Sequence, residues 1–259
     1  MMRLAALAVA ARRPLCGRIL DGWALRFVGR SAICAGERSA GTMMTPRRLI
    51  LAAPALLLAA PARASAPEMR FVDRTAQGEA ARALVRALQA GGVVAVMRHG
   101  ITDRSQMDTG DLANRAGQRN LSERGRAQSQ RTGRAMAALG IPLGEVLTSP
   151  VFRCRDTAEL AFGARARMEP NLTADDYTPD FALLRQRIAW TRARTARPSA
   201  PGVTDVLVGH IVPLGMMLGR SLDQGEFQEG GFAIFAPGEG IGRELGMLSA
   251  DSLWAAARV

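Results

Sequence analysis

The chain has 259 residues, enough for one large domain or two small ones with a proper core. Its formal net charge is +11, but residues 1–66 carry ten arginines against Asp21 and Glu37, net +8, while residues 67–259 carry 24 against 21 acids, net +3. The body is nearly balanced, which argues against a nucleic-acid partner, since that needs a concentrated basic surface.

All 34 basic residues are arginine, a pattern of codon bias more than of design, so a raw arginine count carries little meaning. Met43-Met44-Thr45-Pro46-Arg47-Arg48 reads as a basic n-region. Leu49 to Ala60 is an apolar stretch too short to span a bilayer and interrupted by Pro54, and Ala64 and Ala66 supply an A-x-A cleavage pattern. Residues 1–66 are therefore expected to be a targeting region with a signal peptide over 43–66. Residues 1–42 are then an over-long gene prediction if translation starts at Met43 or Met44; the competing reading is a genuine disordered segment. Arg47-Arg48 follows Pro46 and matches twin-arginine export poorly. The rival reading of 49–60 is a buried helix of the mature domain. The expectation is an exported bacterial protein, periplasmic or secreted, with no stable membrane insertion after cleavage. Cys16 and Cys34 fall in the leader, which leaves Cys154 alone in the body and without an internal disulfide partner.

Residues 67–259 contain no linker or repeat and read as one domain. Thr75 to Ala90 has helical spacing with Ala80, Leu84, Val85 and Leu88 on one face, stopped by Gly91-Gly92. Val93 to Met97 is a buried strand by its continuous apolar run. Ser122 caps a helix that Glu123 favours and that runs to Gly140. Glu145 to Ser149 is a second strand, Arg153 to Phe162 a second crossing helix, and Phe181 to Arg194 a largely amphipathic helix. Val203 to Val208 is an apolar strand ending at Gly209-His210, and Pro213 to Arg220 a short helix with proline in its first turn. Phe232 to Phe235 and Glu244 to Leu248 complete the set as a strand pair. Alternating strands and helices predict an α/β sandwich with a mostly parallel sheet.

In such sheets ligands lie outside the carboxyl ends of the strands. The only two histidines of the chain fall there, His99 after one apolar run and His210 after another. Arg98-His99-Gly100 resembles the signature of the histidine phosphatase superfamily, which includes phosphoglycerate mutases and many phosphomonoesterases. Leu121-Ser122-Glu123-Arg124-Gly125, then Ser149-Pro150-Val151-Phe152-Arg153 with Asp156-Thr157-Ala158-Glu159, and Val208-Gly209-His210 follow in the family's order. The resemblance implies a three-layer α/β/α, phosphoglycerate mutase-like fold and a phosphomonoesterase needing neither metal nor cofactor. Protein phosphohistidine phosphatase, phosphoglycerate-type mutase and a non-catalytic phosphate-binding module stand as alternatives.

The chemistry fits those residues. A phosphomonoester carries close to two negative charges, and the fixed fork of arginine neutralises them; Arg98 and Arg153 are the matching positions. A neutral His99 is the nucleophile that becomes a phosphohistidine, with a backbone carbonyl on its other ring nitrogen fixing the tautomer. His210 donates to the equatorial oxygens. Gly100 lets the backbone approach the phosphate and supply an N–H, and Thr102 adds a hydroxyl. An alkyl leaving group also needs an acid. Asp175 and Asp176 are the candidates, Asp175 slightly preferred for the acid and Asp176 for substrate contact. Arg119 is a candidate substrate contact, whereas Arg124, Arg126, Arg131 and Arg134 read as a solvated helix face. Asp103, Asp108 and Asp111 either line the pocket or are solvated, and Cys154 reads as packed rather than reactive. No metal-ligand spacing is present. The expected partner is a phosphorylated small molecule or an envelope glycan, with the natural substrate and oligomeric state left open.

Overall fold

A computed structural model describes residues 73–197 and 199–259. The expected targeting region 1–66 and the domain's start at residue 67 lie outside the described residues. Helix α1 (Gly78–Ala90) buries Ala81, Leu84, Val85 and Leu88. Ala80, expected on that face, is exposed and Ala81 takes its place, while Leu84, Val85 and Leu88 are buried as expected. Strand β1 (Val93–Arg98) follows and is buried throughout. The Ser122 side chain caps α2 (Glu123–Ala138) by accepting the Gly125 N–H at 3.1 Å. Strand β2 (Leu143–Thr148) then leads into α3 (Phe152–Phe162).

The short strand β3 (Ala166–Met168) went unread in the sequence, since three residues carry no periodicity. Asp180 caps α4 (Phe181–Ala196) by accepting the N–H groups of Ala182 and Leu183. Strand β4 (Thr204–Gly209) and α5 (Ile211–Leu218) follow, with Pro213 in the first turn. Strands β5 (Phe232–Ala236) and β6 (Arg243–Leu248) precede a final helix, α6 (Ala250–Ala257), capped by Ser249. Among the described residues no helix is long and apolar enough to cross a membrane.

The six strands form one sheet in the order β3-β2-β4-β1-β5-β6. β3, β2, β4 and β1 are parallel, and β5 is antiparallel to both β1 and β6, so β5 alone runs against the rest. Alternation along the strands feeds two cores. Val93, Ala95 and Met97 pack with Leu84 and Leu88 of α1, Met136 of α2, Phe162 of α3 and Leu253 of α6. Val94 and Val96 point the other way, to Leu184 and Ile188 of α4 and Leu214 and Met217 of α5. This is the three-layer α/β/α sandwich read from the sequence.

The chain order decides where a ligand can bind. β1 sends its connection to β2, beyond β4, whereas β4 sends its own to β5 on the other side of β1. The crevice outside β1 and β4 is thus a point where the winding reverses. In the register Arg98 lies opposite Gly209, so the next residue on each strand, His99 and His210, leaves the same edge.

Candidate active site

His99 is only 2% exposed. Its backbone N–H donates to the Gly209 carbonyl at 3.1 Å, and its own carbonyl accepts from Gly230 N–H at 2.9 Å, which ties it to both flanking segments. Nδ1 lies 2.9 Å from the Gly100 carbonyl oxygen. A carbonyl can only accept, so Nδ1 carries the proton and Nε2 keeps its lone pair. Burial holds the ring's pKa well below its ordinary value, and the nearby charges of Arg98 and Arg153 push the same way. The imidazole is therefore neutral at physiological pH, the form in which it is a nucleophile.

The ring of His210 is tilted against that of His99, with centroids 5.5 Å apart. Its Nε2 is 3.0 Å from the Ser149 hydroxyl at the end of β2 and 3.4 Å from Cys154 Sγ. Burial again depresses its pKa strongly, with Arg153 and Arg98 contributing. Cys154 is fully buried and its thiol is pushed up to about 12 by that burial, so it is packed and unreactive at neutral pH.

Arg98 and Arg153 are each 3% exposed. Arg98 donates through Nη1 to Gln224 Oε1 at 2.7 Å and to the Phe227 carbonyl at 2.6 Å. Burial lowers its pKa to about 10, with the Glu229 carboxylate opposing, so it stays charged at neutral pH. Arg153 donates through Nη1 to both oxygens of Asp108, and its Nη2 lies 3.5 Å from Asp176 Oδ2. The Nε atoms of Arg98, Arg119 and Arg153 are all buried with no hydrogen-bond partner among the described residues. Three buried cationic donors left unpaired around two neutral imidazoles make a site built for an anion that is not part of the chain.

Residues 94–176, which include Arg98, His99, Arg153 and Asp176, match the family model of the histidine phosphatase superfamily (branch 1). The match covers that segment, about a third of the chain. No curated protein matches it. Among solved structures it is similar to the protein histidine phosphatase SixA complexed with tungstate, at 19% identity over 62% of this chain and 99% of that one, with a TM-score of 0.44. It is also similar to the alpha-ribazole phosphatase from Shigella flexneri, at 15% identity over 61% and 96% of the two chains and a TM-score of 0.43. A third is the phosphoserine phosphatase from Entamoeba histolytica in complex with 3-phosphoglyceric acid, at 14% identity over 62% and 98%, with a TM-score of 0.42.

Around this site three expectations need correction. The Gly100 N–H is not free for phosphate: it donates to Thr157 Oγ1 at 2.9 Å, and that hydroxyl donates in turn to the Arg153 carbonyl at 2.7 Å. Gly100 is needed for packing instead. A Cβ there would sit 2.9 Å from Ser129 Oγ and 3.0 Å from the Gly125 carbonyl, against the first turns of α2. The Thr102 hydroxyl is likewise engaged, donating to Glu229 Oε1 at 2.9 Å, so it holds the carboxylate that balances Arg98 rather than a substrate oxygen.

The third correction concerns the acid. Asp175 and Asp176 share one short 3₁₀ turn (Asp175–Tyr177), and it is Asp176 that reaches Arg153. Among the described residues the Asp175 carboxylate makes no ion pair. Burial raises the pKa of Asp176, Arg153 opposes, and the like charges of Asp108 and Asp175 add to the rise. Arg119 belongs with the site: it is half-buried, and its charge reaches both Arg98 and His210. The sequence left Asp108 undecided between pocket and solvent, and it is in the pocket. Tyr177, Gln224 and Glu229 were not singled out, because each acts through another site residue and none stands at a motif position; Thr157 was named only as part of its motif, with no role of its own.

Proposed function

We propose that this protein is a phosphomonoesterase of the histidine phosphatase type that works through a phosphohistidine at His99 without a metal ion. Nε2 of His99 attacks phosphorus in line; the P–Nε2 bond forms as the ester P–O bond breaks. Arg98, Arg153 and Arg119 neutralise the phosphoryl oxygens, and His210 stands beside them as charge spreads over the equatorial positions. Asp176 gives its proton to the departing alkoxide. Its carboxylate then takes a proton from the water that attacks the phosphohistidine, which releases inorganic phosphate and returns His99 to the neutral form.

The observation that carries this reading is the neutral, buried His99 with Nδ1 committed to the Gly100 carbonyl, set among three unpartnered guanidinium Nε–H groups. The position of Asp176 favours ester substrates with poor leaving groups over phosphoramidates, because only the former need a strong acid. A phosphorylated small molecule or an envelope glycan is the substrate class, and export is the location; the support for both is the targeting pattern over residues 43–66.

The test is turnover of a panel of aryl and alkyl phosphates with and without EDTA. EDTA-insensitive release of inorganic phosphate is the expected result. Strict dependence on a divalent ion, or no turnover of any ester in the panel, overturns the reading.

A further inference from the structure

Arg153 is expected to receive phosphate, yet a carboxylate of the chain already lies against it. Asp108 sits in the long connection between β1 and α2, 14% exposed at its side chain, and cross-links fix it there. The adjacent Thr109 N–H donates to the Gly117 carbonyl at 2.9 Å, and the Arg119 N–H donates to Asp108 Oδ1 itself at 2.9 Å. Oδ1 takes two further donors, the Tyr177 hydroxyl at 2.5 Å and Arg153 Nη1 at 2.9 Å. A carboxylate oxygen with three donors in fixed directions cannot turn away, so Asp108 is a rigid wall and not a mobile stand-in for phosphate.

The guanidinium of Arg153 is therefore divided. Nη1 faces Asp108, bonding Oδ1 at 2.9 Å and Oδ2 at 3.1 Å. On the opposite edge Nε is buried and unpartnered, and Nη2 meets only the longer 3.5 Å contact to Asp176, whose side chain is 42% exposed. We propose that Asp108 is a positioning residue: by taking up Nη1 it commits the Nε–Nη2 edge of Arg153 to the phosphoryl group and leaves Asp176 beside it at the leaving-group side. This rests on the phosphomonoesterase reading and deepens it. Asp108 is not the acid, because its donors keep it ionised, with its pKa below the usual aspartate value despite partial burial. Tyr177 completes the brace, its ring also lying 5.9 Å from the Arg153 guanidinium carbon.

The experiment is a double-mutant cycle between Asp108→Asn and Arg153→Ala, read as kcat and KM on an aryl phosphate. Asp108→Asn alone is expected to lower kcat by about 10- to 100-fold with KM changed by less than about threefold, the scale of a reacting group displaced by about an ångström. In the Arg153→Ala background the same change is expected to leave kcat within about twofold or to raise it, because Asp108 then has nothing to position. An equal loss in both backgrounds, or wild-type kcat in Asp108→Asn alone, overturns the proposal. Tyr177→Phe keeps both charges and serves if Asp108→Asn does not fold: a loss of about fivefold is expected in the wild type and none with Arg153→Ala. If the wild type turns over no ester, the phosphomonoesterase reading has failed on its own. The same cycle is then read by calorimetric affinity for inorganic phosphate, where non-additivity supports the role of Asp108 and additivity overturns it.

Discussion

Replacing Asp176 by Asn keeps the side chain's size and removes its proton. The stability cost should be small: the contact to Arg153 is 3.5 Å long and the Asp176 side chain is 42% exposed, so the pair is worth about 0–1 kcal/mol. In a domain of this size that is a fall in Tm of no more than about 4 °C. The catalytic cost should be large and depend on the leaving group. A positioned general acid contributes about 10²- to 10⁴-fold, so kcat on an alkyl phosphate should drop at least about a hundredfold. An aryl phosphate whose phenolate leaves without help should lose less than about tenfold. Asp175→Asn, one residue away on the same turn, should leave both substrates within about twofold. Paired steady-state kinetics on the two esters decide the matter. Equal losses on both, or a loss carried by Asp175→Asn instead, would refute the assignment of the acid.

Gly100→Ala should destabilise the fold by about 1–3 kcal/mol, because the added methyl meets Ser129 Oγ and the Gly125 carbonyl. Adding Ser129→Ala should recover only part of this, as the backbone carbonyl remains; urea midpoints measure both, and full stability of the single variant would contradict the packing role. Stability should also fall as pH drops below 6.5. His99 and His210 titrate well below that value in the fold, so the unfolded chain binds more protons there. Asp176, with a raised pKa, works in the opposite direction at lower pH and offsets part of the loss. Urea midpoints from pH 7.5 to 5.5 test this, and a flat profile would mean that the imidazoles are not held neutral by the fold.

The two histidines were legible because each ends an apolar run, and a buried strand places its last residues at the carboxyl edge whatever the rest of the chain does. Their proximity follows from β4 lying directly beside β1, an arrangement the element order suggests but does not by itself impose. Roles that depend on side-chain direction were harder. Asp175 and Asp176 are adjacent on a 3₁₀ turn, and their position in the sequence cannot say which one turns inward. Gly100 stands at a motif position, so its absent side chain was read as room for phosphate; the contacts that need it come from Gly125 and Ser129, brought up by the folding back of α2. Asp108 lies in a connection organised by Gln106, Gln118 and Asn120, whose hydrogen bonds follow no periodicity. The exchange of Ala80 for Ala81 on the buried face of α1 has a simpler cause: two adjacent alanines offer the same side chain.

The most direct test of the mechanism is to trap the intermediate. Wild-type protein mixed with excess aryl phosphate and quenched in alkali, where phosphohistidine survives, should carry one phosphoryl group on the peptide containing His99, and His99→Ala should carry none and turn over no ester. Phosphoryl transfer to any other residue, or undiminished turnover by His99→Ala, would contradict the account at its centre.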